Sequence, residues 1–237
     1  MDALSVTAKM AIDAYGGADL WLRSKRVRAL VSASGLAFTL KRRSAFQRAV
    51  VECDIHRPYC RLTPIGQRPD VTGVLVGQHV QLQGPSGAVI AQRQSARTLF
   101  PFGRRALWWD DMDMAYFACY AFWNYFTLPR LLMNPDIAWS EVGAGHLKAE
   151  FPAHIPTHSP SQRFYFDTNS GLLLRHDYTA AVVAPVAHAA NVVLYHSQHE
   201  GIPFPAERRV TPIGFHNKVL AMPVLIHISV HEFALEA

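Results

Sequence analysis

Charge is scarce in this chain. Only 17% of its 237 residues are Asp, Glu, Lys or Arg, while half are hydrophobic. That balance excludes a disordered segment and supplies enough apolar material for a sizeable core. Cysteine is scarcer still, limited to Cys53, Cys60 and Cys119. These offer no C-x-x-C and no even-numbered framework, so reduced thiols in a cytoplasmic protein are expected; Cys53 and Cys60 could pair, but core thiols are the simpler reading. The N-terminal MDALSVTAKM has an early acid, no basic stretch and no long apolar run, so no secretory signal is read there. Gly-x-Gly-x-x-Gly, a phosphate loop and a Gly-x-Ser-x-Gly elbow are all missing. Neither a nucleotide cofactor nor an elbow nucleophile is expected, and no other cofactor is indicated.

What is present is basic, histidine-rich and aromatic. The net charge is +5. Its basic residues are scattered as Arg26/Arg28, Lys41 to Arg43, Arg104/Arg105 and Arg208/Arg209 without interleaved aromatics, which argues against a nucleic-acid partner. Twelve histidines raise the question of a metal. His227 and His231 share one face of a strand, but four residues at ~3.3 Å rise set them about 13 Å apart. A shared ion would need Zn–N distances of about 2.1 Å. His196 and His199 point to opposite faces, and His154 and His158 flank Pro156 with no acidic or thiol partner beside them. No metal site is expected.

Along the chain, SVTAKMAIDAYGG reads as a short amphipathic helix with a Ser or Thr start and a Gly16-Gly17 stop, followed by a helical turn from Ala18 to Arg23. From Val27 the pattern changes to β-rich runs divided by turn signals: RALVSASG, SAFQRAVVECD, PYCRLTPIG, GVLVGQHVQLQG and AVIAQRQS. A second series follows the aromatic stretch: AWSEVGA, HLKAEFPA, SQRFYFDT, GLLLRHDYTAAVV, HAANVVLYHSQHEG, AERRVTPIG and MPVLIHISVHEFAL. Thr168-Asn169-Ser170-Gly171 is a hairpin turn within it. With no linker and no repeat, the chain reads as a single α+β domain over 1–237. Its sheet is antiparallel, curved and of roughly ten strands, wrapped around one or two helices.

The stretch DMAYFACYAFWNYFTLPRLL is the main helical candidate. Asp110 or Asp111 caps it from about Met112, and Pro129 ends it near Leu128. It falls short of the ~20 residues needed to span a bilayer, and it contains Asp113 and Asn124. Stable membrane insertion is therefore not expected. Apolar on nearly all sides, it should be buried on most faces.

The chain resembles a family of uncharacterised bacterial proteins, common in actinobacteria. The resemblance rests on WWDDMDMAYFACYAFWNYFTLPRLL, FPAHIPTHSPSQRFYFD, GLLLRHDYTAAVV and HEGIPFPAERRVTPIG, in that order. It covers about two thirds of the chain. It implies a LolA-like fold, an open β half-barrel whose concave face is covered by helices, and it implies no particular activity. Asn191 stands where the family usually has His, and Pro160 interrupts a run that is usually Ser-Arg-Glu.

The candidate chemistry is polar groups in apolar strands. In LLLRHDYTAAVV, alternation puts His176 and Tyr178 on one face and Arg175, Asp177 and Thr179 on the other. One set must face the helices, where burial near a partner shifts a pKa. Thr157, His158 and Ser159 precede the neighbouring strand, and Asn124 and Tyr125 come from the helix. One reading makes His158 or Asp177 a base, with Tyr178, His176 and Asn124 orienting a substrate. In it, Tyr116, Tyr120, Trp123, Tyr125 and His196 line a hydrophobic ligand site. The bland reading makes His158 a strand cap, pairs Asp177 with Arg175 or Arg163, and leaves the aromatic stripe as core. Three functions follow: a binder of a hydrophobic small molecule with cofactor-free acid/base catalysis, a non-catalytic carrier of a lipid or acyl chain, or an interaction scaffold with no cavity.

Overall fold

The computed structural model describes residues 4–66 and 68–237. Helices α1 (Val6–Ala14) and α2 (Ala18–Arg23) open the fold. They are followed by β1 (Arg26–Ser34), α3 (Leu36–Leu40), β2 (Phe46–Asp54), β3 (Tyr59–Thr63), β4 (Thr72–Val76), β5 (His79–Gln83) and β6 (Val89–Arg93). Two 3-10 turns (Ala96–Leu99, Gly103–Ala106) lead into α4 (Asp111–Phe126) and α5 (Leu128–Leu132). The remaining strands are β7 (Ala138–Gly143), β8 (His146–Glu150), β9 (Ser161–Phe166), β10 (Leu173–Thr179), β11 (His188–His199), β12 (Ile202–Pro212) and β13 (Ile226–Glu236).

All thirteen strands join one sheet in the order β6-β5-β4-β3-β2-β1-β13-β12-β11-β10-β9-β8-β7. Each neighbouring pair is antiparallel. Insertion of β13 between β1 and β12 welds the two sequential meanders into one surface. Strands β6 and β7 stay as edges, so the sheet is open. This is the expected α+β half-barrel with more strands than expected. One reason is Gly77, whose φ of +57° turns the chain inside GVLVGQHVQLQG and splits that run into β4 and β5. Helix α3 is an addition, too short to leave a periodic signal.

Alternation fixes which face is buried. In β1, Val27, Ala29, Val31 and Ala33 point inward while Arg26, Arg28 and Ser34 are exposed. The concave surface so formed receives α4, which packs against β2 to β5. From Asp113 to Phe126 every residue of α4 is buried, so it has no solvent face. The close approach needs Gly73 on β4, where a Cβ would sit 2.7 Å from the Ala115 Cβ. Trp123 Nε1–H donates to the Asp54 carbonyl at 2.8 Å, tying the far end of the helix to β2.

The N-terminus of α4 is fixed by charge. Asp110 is the N-cap, and it and Asp113 form a capping box by exchanging side-chain and backbone hydrogen bonds. Asp113, fully buried, accepts from Arg93, from Arg104 at 2.7 Å and from Arg105 at 2.8 Å. Asp110 also pairs with Arg93, at 2.7 Å, and with Arg104. No helix among the described residues is long and apolar enough to cross a membrane.

Candidate functional site

Strand β10 presents His176 and Tyr178 to the helix. Arg175 and Asp177 face the other way, where Arg175 Nε and Nη2 each donate to the Asp177 carboxylate at 2.6 Å. Arg175 also donates to Asn217 Oδ1 at 3.0 Å. Asp177 is therefore separated from His158 by the thickness of the sheet, and its acceptors are occupied.

His158 lies at the centre of the inward cluster with no exposure at all. Its Nδ1 is 3.2 Å from Tyr120 Oη and its Nε2 is 2.8 Å from Tyr125 Oη. Tyr125 Oη continues the chain to Tyr178 Oη at 2.9 Å. The Tyr178 ring stacks on the imidazole with centroids 3.7 Å apart and planes 6° apart. Burial, with the Arg97 charge adding to it, holds the His158 pKa well below the usual histidine value. The ring is neutral, so one tyrosine hydroxyl donates to it and the other accepts. Arg97 fastens the loop from outside, donating to the carbonyls of Thr157 at 2.5 Å and His158 at 2.9 Å.

His176 belongs to the same cluster. Its Nε2–H donates to Gln162 Oε1 at 2.6 Å, and it stacks on Phe164. Gln162 in turn donates to Thr157 Oγ1 at 2.6 Å and to the Ser159 carbonyl at 2.7 Å. Asn124 Nδ2 ties the loop to the helix by donating to the Tyr120 carbonyl at 2.7 Å and the Pro156 carbonyl at 2.8 Å. The structure thus brings together His158, His176, Tyr178, Tyr120, Tyr125 and Asn124. His196 stands apart, with Nε2 3.1 Å from Tyr15 Oη. Trp123 is occupied with Asp54, and Tyr116 is packed against Phe100 and Tyr120.

An apolar cavity lies beside the cluster, and His158 itself does not border it. This cavity of about 340 Å³ is walled by Ala180, Ala187, Ala189, Val210 and Ile226 of the sheet side, Phe117 of α4, Tyr178, and α3 with the 103–107 segment. Leu40 and Leu107 form its mouth and are 58% and 71% exposed. Lys41 pins two walls together: its Nζ donates to the carbonyls of Arg105 at 3.1 Å, Ala106 at 2.8 Å and Val183 at 3.5 Å. Of the residues expected to line a ligand site, none of Tyr116, Tyr120, Trp123, Asn124, Tyr125 and His196 borders this space. Tyr178, expected as a catalytic residue, does border it. A separate groove of about 430 Å³ runs past Arg97, Tyr116 and Thr157 and likewise does not touch His158. Among the described residues no three His, Cys, Asp or Glu side chains converge on a possible metal position.

Two residues outside the sequence candidates complete the inward surface. Arg208 of β12 is 1% exposed, and its Nε and Nη1 have no hydrogen-bond partner. Asn191 of β11 is fully buried with both Nδ2 and Oδ1 unpartnered. Alternation in AERRV carries the signal for Arg208, since it places that residue on the same face as Val210; only the register shows that this face is the concave one.

Neither a protein-family model nor a curated protein matches the sequence. Solved structures do match it. A domain from Vibrio parahaemolyticus described as an outer membrane lipoprotein-sorting protein superposes with a TM-score of 0.50 at 9% identity, over 97% of this chain and 90% of that one. A DUF1329 family protein from Desulfovibrio piger gives 0.49 at 11% identity over 99% and 94%. A LolA superfamily protein from Nitrosomonas europaea gives 0.45 at 8% over 98% and 95%. At these identities the likeness concerns the fold, which is LolA-like.

Proposed function

We propose that this protein is a non-catalytic carrier that holds a hydrophobic small molecule in the 340 Å³ cavity between the sheet and α3. One observation carries the reading: an apolar space within the ~300–1,000 Å³ range of ligand sites, lined by five alanines and edged by exposed leucines. The Vibrio parahaemolyticus neighbour is described as sorting lipoproteins, a lipid-bearing cargo, which is in keeping with it. Acid/base catalysis is the weaker reading. A base must come within hydrogen-bond reach of substrate, and both nitrogens of the fully buried His158 are engaged by tyrosines.

The test is saturable binding of the uncharged probe Nile red to delipidated full-length protein, with dodecanol as competitor. Wild type should bind one equivalent. Ala189→Trp, which fills the cavity from its sheet wall, should lose binding while its circular dichroism stays native. Absence of saturable binding in wild type, or undiminished binding in folded Ala189→Trp, overturns the reading.

A further inference from the structure

Ala189 and Val210 wall the cavity from adjacent strands, and the next inward positions on those strands are Asn191 and Arg208. The apolar wall therefore passes, one inward step of about 6.6 Å along each strand, into a pair of buried side chains with unused donors. Arg208 cannot shed its proton. Yet no ion pair to it occurs among the described residues, and the cation rests on the Tyr125 ring with Cζ 5.0 Å from the centroid. Beside it lies a void of about 20 Å³ lined by Tyr15, Tyr125, Leu173, Phe204 and Phe233. It has room for about one water and shares no lining residue with the apolar cavity, so it is not where a headgroup attached to a tail in that cavity sits. Glu207, its sequence neighbour, turns to the opposite face and meets His227 at 3.1 Å.

A buried cation with no counter-ion is costly unless something supplies the charge. Resting on the carrier reading above, we infer that the ligand is a single-chain carboxylate, whose tail fills the cavity and whose carboxylate is held by Arg208 with the Asn191 amide as a second donor. A monoanion matches the single guanidinium. Charge-assisted hydrogen bonds to a planar carboxylate are the strong kind for arginine.

Calorimetry of the delipidated full chain in chloride-free buffer, with dodecanoate and dodecanol as paired probes, tests this. Wild type should prefer dodecanoate by at least ~10-fold, the value of one charged hydrogen bond. Arg208→Met should lose the preference, binding dodecanoate no more tightly than dodecanol, while Arg208→Lys should keep part of it. Equal binding of the two probes by wild type overturns this inference and leaves the carrier reading standing; binding of neither overturns both. A preference that survives in Arg208→Met also overturns it. So does stabilisation of wild type by chloride alone without a dodecanoate preference, which would mark a free-anion site. Should Arg208→Met fail to fold, the wild-type Arg208 Nε–H resonance decides: it should shift with dodecanoate and not with dodecanol, and an unmoved resonance counts against the inference.

Discussion

At the scale of residues, the cluster around His158 is a device for keeping imidazoles neutral. His158 and His176 are buried, and burial holds both pKa values well below the ordinary 6.5. Unfolding exposes them, and below about pH 6.5 the unfolded chain binds protons that the folded one refuses. Their contribution to stability is thus fully present above about pH 6.5 and is lost as the pH falls beneath it. The slope is about 1.4 kcal/mol per pH unit for each histidine. Asp110 does not share this window. Although burial pushes its carboxyl up, hydrogen bonds and charge from Arg93 outweigh that and bring it from 3.8 to about 2, so it acts at lower pH. Urea denaturation between about pH 6.5 and 4.5 should show stability falling steeply, and His158→Gln should remove one histidine's share of the slope, about 1.4 kcal/mol per pH unit. A flat profile in wild type would contradict the neutral cluster.

At the scale of elements, α4 was legible from its sequence and the cavity was not. Asp110 as cap and Pro129 as terminator bracket the helix that forms, and its lack of a polar stripe forecasts burial on all sides. What local pattern cannot supply is register. Ala180, Ala187 and Ala189 read as unremarkable small residues until strand pairing gathers them on one wall. The same holds for Arg208, whose burial depends on β13 and β11 flanking its strand. The charge around Asp113 also required distant segments, since Arg93 comes from an edge strand and Arg104 and Arg105 from a 3-10 turn. Removing one member of a buried ion cluster strands the others, at about 3–5 kcal/mol. Asp113→Ala should therefore lower unfolding free energy by about 3 kcal/mol. Glu150→Ala, which breaks the exposed pair with Lys148 at 2.8 Å, should cost under about 1 kcal/mol. Equal effects in chemical denaturation would show that the cluster does not anchor the helix.

At the scale of the whole molecule, the half-barrel is filled unevenly. Helix α4 lies mainly across β2 to β5 and reaches β10 to β13 only with side chains such as Phe117, Tyr125 and Phe126, so around Ala189 and Val210 the concave side is roofed by Phe117, α3 and the 103–107 segment. The hollow is the result of that asymmetry, and its about 340 Å³ sits near the lower end of ligand-site volumes. Enlarging it means moving α4, which is held at one end by the Asp113 cluster and at the other by Trp123 and Asn124, or lifting the α3 and 103–107 roof, which Lys41 ties to Val183. A ligand with one hydrocarbon chain therefore fits the resting molecule, whereas a two-chain phospholipid does not. Incubation with phosphatidylglycerol vesicles, removal of the vesicles and native mass spectrometry should recover lipid-free protein, while incubation with dodecanoate should yield a one-to-one complex. Recovery of a stoichiometric phospholipid complex would mean that α4 swings away from the sheet or that the roof lifts, and amide exchange across Asp113 to Phe126 or across the roof would then rise on binding rather than stay protected.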